Sequence, residues 1–122
     1  LAELYNKKKS GNPGFDFHSQ SLDEVIIFGE AKYLDDRNAY GSGLKQVVRF
    51  ISDKKDIKDL ADLRDFCSQN ALSSVSKGMK GFAVAFSAKS TPSDTLVSNI
   101  IKNKDFISLL QHQEIIIVAV NI

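Results

Sequence analysis

The chain has 122 residues, 43% of them hydrophobic and 25% charged, with a formal net charge of +1. That length gives one domain, residues 1–122, able to bury a core without disulfides or a structural metal, and the composition excludes disorder. No apolar run approaches the roughly 18–20 residues a bilayer span needs, which argues against a membrane partner.

Leu1 to about Lys9 reads as the end of a helix with Leu1, Leu4 and Tyr5 on one side, stopped by the dense turn signal Ser10-Gly11-Asn12-Pro13-Gly14. These first residues carry no basic-then-apolar leader and no initiator Met, so the sequence reads as a cytoplasmic domain cut from a longer protein. Phe15-Asp16-Phe17-His18 is a short strand, with both Phe side chains on one face and Asp16 and His18 on the other. A polar turn, Ser19 to Glu24, leads into a second strand, Val25 to Lys32, and the two form a hairpin.

A polar loop, Leu34 to Asn38, precedes a helix from Ala39 or Ser42 to Ile51 with Leu44, Val47, Val48 and Ile51 at helical spacing. A second helix is expected from Asp56 to Ser68, burying Ile57, Leu60, Leu63 and Phe66. Cys67 then sits on an apolar helical face as a small hydrophobe, with no flanking group to activate its thiol. Ser73 to Lys80 reads as an exposed connector, and Gly81 to Phe86 as an apolar strand. Thr91-Pro92-Ser93-Asp94 opens the next helix with Thr91 as cap and Pro92 in the first helical position, and Leu96, Val97, Ile100 and Ile101 form its inner face. A short helical segment, Phe106 to Leu110, is followed by Gln111-His112-Gln113, read as loop surface. The last strand, Ile115 to Val120, is apolar on both faces, as a central strand covered by helices should be. The order α-β-β-α-α-β-α-β implies an α/β fold, a mixed sheet flanked by helices on both sides.

One feature calls for a chemical reason. The apolar run Val25-Ile26-Ile27-Phe28-Gly29 ends in Glu30-Ala31-Lys32, an acid and a base that alternation puts on one strand face about 7 Å apart along the strand. A second carboxylate, Asp16, comes from the neighbouring strand. This D-(x)n-E-x-K pattern resembles the PD-(D/E)xK nuclease superfamily, and the element order is similar to its restriction-endonuclease-like core. The usual Pro-Asp is absent: Phe15 precedes Asp16, and Pro13 lies three residues before it. Gln46-Val47-Val48-Arg49-Phe50 looks like the Gln-then-aromatic motif of the RecB-like branch, with Phe where Tyr is more usual. Gly29-Glu30-Ala31-Lys32-Tyr33 also resembles the nuclease subunits of bacterial anti-phage systems such as Hachiman.

The resemblance implies a nuclease acting on nucleic acid, DNA in preference to RNA, with Mg²⁺ or Mn²⁺ as cofactor. Asp16 and Glu30 would be its metal ligands, joined by the backbone carbonyl of Ala31. Lys32 would orient the attacking water and Gln46 would hold Lys32 or that water; Glu3 and His18 are further candidates. Against it stand an exposed Glu30–Lys32 ion pair worth at most about 1 kcal/mol and the net charge of +1, since a grip on a long duplex usually brings a strong basic excess. The lysines are clustered instead, at Lys7 to Lys9, at Lys54, Lys55 and Lys58, and at Lys77 and Lys80, each cluster readable as solvated surface. A catalytically silent nuclease-like scaffold for other domains or subunits is the alternative. No Gly-rich phosphate loop, Ser-His-Asp order or Cys/His metal spacing is present.

Overall fold

The computed structural model describes residues 14–35, 37–89 and 91–121. Within them the chain is an α/β domain: β1 (Phe17–Gln20), β2 (Ile26–Lys32), α1 (Tyr40–Ser52), α2 (Lys55–Leu63), α3 (Gln69–Ser76), β3 (Gly81–Ala88), α4 (Ser93–Lys102), α5 (Lys104–Leu109) and β4 (Glu114–Asn121). The strands form one mixed sheet in the order β1-β2-β3-β4. β1 runs antiparallel to β2, while β2, β3 and β4 are mutually parallel. Parallel neighbours need a crossover, and helices supply both: α1 to α3 between β2 and β3, α4 and α5 between β3 and β4. No helix among the described residues is long and apolar enough to cross a membrane.

Alternation divides the sheet into two faces. Phe28, Glu30 and Lys32 of β2 lie beside Phe82, Val84 and Phe86 of β3, and these strand residues face the helices. All five described helices send their buried side chains into this one cluster: Leu44, Val47 and Phe50 from α1, Leu63 from α2, Ala71 and Val75 from α3, Leu96 and Ile100 from α4, and Leu109 from α5. Its centre is aromatic, with Phe15 5.4 Å from Phe28, 5.4 Å from Phe50 and 5.7 Å from Phe82 between ring centroids. The opposite face holds a small separate cluster, Val25, Ile27 and Ala83 with Phe17 packed on it. The expected flanking by helices on both sides is therefore met on one side among the described residues, and the helix expected over Leu1 to Lys9 lies outside them.

Several expectations are corrected. The strand apolar on both faces is not central: β4 is an edge, and Ile116, Val118 and Val120 on its helix-free face are 38%, 45% and 54% exposed. The buried inner strands are β2 and β3. The helix expected to run to Ser68 stops at Leu63, and a separate helix, α3, occupies much of the expected connector. Ser68 causes this break, because its Oγ accepts the Ala71 N–H (3.1 Å) and starts α3 afresh. Ile57 and Phe66 are exposed, and Cys67 packs on the core from the turn between helices. Burial pushes its thiol pKa up, as an inert thiol requires. Pro92 takes the cap position of α4, without a side-chain cap, and Val97 and Ile101 point outward. His112 is half-buried, its ring 4.8 Å from that of Phe82, instead of lying on a surface loop.

Candidate metal-dependent active site

The start of β1 departs from simple alternation. Phe17 pairs with Gly29, yet the Asp16 N–H also returns to the Gly29 carbonyl (2.9 Å). Phe15 and His18, three residues apart, both stack on Phe28, while Phe17 lies on the opposite face. One extra residue has been inserted, and it is Asp16: the strand carries a β-bulge there. The two Phe side chains consequently occupy opposite faces, not the single face that alternation predicts. Gly29 is required by the same geometry, because the Phe17 ring lies across it where a Cβ would stand.

The bulge re-aims Asp16. Its Oδ2 accepts the Ala31 N–H (2.9 Å), taking the place of a strand partner at the end of β2, and the residue is exposed. Glu30 and Lys32 do share a face, the helix-covered one. Glu30 is 6% exposed and Lys32 half-buried. This already separates the pair from an ordinary exposed salt bridge, since burying a carboxylate is costly without a compensating role. Above them runs α1, close enough that a Cβ on Gly43 would meet Val84 Cγ1 at 2.6 Å and Lys32 Cβ at 3.6 Å. Gln46 and Phe50 follow Gly43 at i+3 and i+7, on the same side of the helix. Gly43 faces Lys32 and Phe50 faces Phe15, so half-buried Gln46 is placed between them over β2.

Glu30 and Lys32 lie at the carboxyl end of the parallel strand β2. The chain leaving β2 is pinned there: the Leu34 N–H donates to Ser87 Oγ (2.9 Å), the Ser87 hydroxyl donates to the Leu34 carbonyl (3.0 Å), and the Ala39 N–H donates to the Ser87 carbonyl (3.0 Å). Beside it a polar recess of about 550 Å³ opens at the start of α1, lined by Arg37, Asn38, Ser42 and Lys45 among others. Asp16, Glu30 and Lys32 do not line it. The first turn of α1 carries no acid and no side-chain cap, which leaves the positive end of the helix facing that recess.

His18 is elsewhere. It lies on the edge strand β1 but is buried, and its Nε2 lies 2.9 Å from Asp59 Oδ2. The same oxygen of Asp59 accepts the Phe15 N–H (3.2 Å), so Asp59 ties α2 to the start of β1. A second acid one turn earlier, Asp56, is fully buried and ion-paired with Lys80. Sequence reasoning assigned Lys80 to solvated surface and gave Asp56 and Asp59 no role; the available signal was their i, i+3 spacing on one helix. Glu3 lies outside the described residues. Among the described residues no three or more His, Cys, Asp and Glu side chains gather as metal ligands. The residues that the resemblance names as ligands, Asp16, Glu30 and the Ala31 carbonyl, would offer a cation oxygen alone, two of them as carboxylates. Such a set fits Mg²⁺ or Mn²⁺, which keep several waters, and does not fit zinc, which takes four nitrogen, sulfur or carboxylate ligands. Compared with models of protein families, with curated proteins and with solved structures, the chain matches none.

Proposed function

We propose that this chain is a metal-dependent nuclease domain of the PD-(D/E)xK type, with a restriction-endonuclease-like core, cleaving DNA in preference to RNA. The observation that carries the reading is the pairing of a buried glutamate with a lysine on one strand face, at the carboxyl end of a parallel strand, under a helix held close by Gly43.

Asp16, Glu30 and the Ala31 carbonyl would hold Mg²⁺ or Mn²⁺. When bound, the cation supplies charge neutralisation at the phosphate and lowers the pKa of water. Lys32 adds a fixed positive charge beside the buried acid and orients the nucleophile, and Gln46 can both donate to and accept from the same group. Arg37 and Lys45, with the positive end of α1, offer the neighbouring recess to a backbone phosphate. This local concentration of positive charge suits a domain whose net charge is only +1.

Cleavage of plasmid and linear DNA with Mg²⁺ or Mn²⁺ tests the reading. Glu30→Gln and Lys32→Ala are expected to lower the rate by at least about 10²-fold, as loss of a transition-state group does, while the fold persists by circular dichroism. Cleavage undiminished in both variants sinks the assignment. The engagement of Asp16 with the Ala31 N–H favours one competing reading, a catalytically silent scaffold of the same fold. Calorimetric titration with Mn²⁺ separates the two, since the scaffold shows no binding.

A further inference from the structure

Among the described residues the outer edge of β4 is long, regular and uncovered. All eight residues pair in unbroken register with β3, from Gly81↔Glu114 to Ala88↔Asn121, so the strand carries no bulge to turn its outer edge away. That edge has no strand partner among the described residues. Natural edges are blunted by Lys, Pro, bulges or short length. Ile115 to Val120 contains no charge, no Pro and no Gly, and its residues from Val118 to Asn121 are all exposed. A row of free backbone donors and acceptors between two apolar faces is satisfied by another strand.

We infer that β4 pairs antiparallel with β4 of a second copy, extending the sheet across a two-fold axis at Val118. The register follows from self-complementarity. A two-fold axis perpendicular to the sheet keeps each face continuous, so only residues of like parity can stand opposite one another. Centring on Val118 sets Val118 against itself and Ile116 against Val120 twice, which matches the three exposed side chains of the helix-free face. On the helix side Ile117 meets Ala119. Glu114, the only charge in the strand, falls at opposite ends of the paired ribbon, whereas a parallel pairing would set the two carboxylates side by side. An eight-residue edge is about 27 Å long and a sheet about 10 Å deep, so the strip presented is roughly 270 Å² per protomer. Stable interfaces cover about 800 Å² per partner. The dimer is accordingly a reversible one, held chiefly by backbone hydrogen bonds.

Sedimentation of the 122-residue chain between about 5 and 500 µM is expected to show a monomer–dimer equilibrium, and Val118→Lys to weaken it more than tenfold with the melting temperature retained. A single monomeric species across that range overturns the inference. Cysteine pairing tests the register in a Cys67→Ser background. Val118→Cys places two Cα atoms about 4.5–5.5 Å apart, inside disulfide range, and crosslinks. Ile116→Cys leaves its Cα atoms about 14 Å apart and does not crosslink alone. Equal crosslinking from both positions would also overturn it.

Discussion

Asp16 has one structural role in the fold and one proposed role at a metal, and its two oxygens allow them to be measured apart. Its acceptance of the Ala31 N–H is structural, and Asn retains a side-chain oxygen that can do the same. Binding a divalent cation requires the negative charge, which Asn lacks. Asp16→Asn is therefore expected to leave the urea midpoint nearly unchanged and to abolish Mn²⁺ binding by calorimetry, whereas Asp16→Ala loses both and costs about 1 kcal/mol of stability. His112 provides a second residue-scale test. Burial, and next the Lys80 ammonium, lower its pKa from the usual 6.5, against a smaller opposing pull from Asp56. The folded state then binds fewer protons than the unfolded chain between that lowered value and about 6.5. The contribution of His112 to stability is thus complete above about pH 6.5 and is lost as the pH falls through the lowered folded value. A melting temperature followed from about pH 7.5 down to 5 should decline less steeply in His112→Gln than in the parent chain.

At the scale of elements, the packing of α1 on the sheet sets the site, and Gly43 sets that packing. Exchanging Gly for Ala inside a helix normally stabilises by up to about 1 kcal/mol. Here the added methyl would meet Val84 Cγ1 at 2.6 Å, against a side chain in the buried inner strand β3 that has little room to give. Overpacking of this kind costs about 1–3 kcal/mol, so the clash outweighs the propensity. Gly43→Ala is expected to lower the urea midpoint and, by lifting α1 from Lys32, to reduce cleavage as well. The Asp56–Lys80 pair behaves differently. Lys80→Ala leaves a fully buried carboxylate without its partner, at a cost of about 3 kcal/mol or more, whereas replacing both by Leu and Met restores most of that loss in a melting experiment. The same elements mark how far the sequence could be read. β2, β3, β4, α1 and α4 were legible from apolar periodicity, and the shared face of Glu30 and Lys32 from alternation. The bulge at Asp16 was not, because period-two reasoning has no term for an inserted residue. Nor was α3, whose cap at Ser68 reads as the end of the preceding helix and whose last residues read as connector. The edge position of β4 escaped for a related reason: apolarity on both faces describes a strand that is buried and equally one that awaits a partner.

At the scale of the whole molecule, a cation that binds only the folded chain must stabilise it by RT ln(1 + [L]/Kd). Mg²⁺ held as proposed, by two carboxylates and a carbonyl, would bind weakly in the absence of substrate phosphates. With a dissociation constant of about 1 mM, a 10 mM concentration contributes roughly 1.4 kcal/mol, which raises the melting temperature of a domain this size by several degrees. Mn²⁺, higher in the order of affinity for such ligands, is expected to raise it further at equal concentration. Both shifts require the Asp16 and Glu30 carboxylates, so Asp16→Asn and Glu30→Gln should each melt at a temperature that no longer responds to the metal. Lys32→Ala should respond at least as strongly as the parent chain, because removing a positive charge beside the carboxylates favours a cation there. Differential scanning fluorimetry in matched ionic strength, with Na⁺ replacing the divalent salt, distinguishes this from screening of the surface lysines. A shift that is the same size in Glu30→Gln would place the cation elsewhere on the protein and remove the metal centre from the β2 strand end.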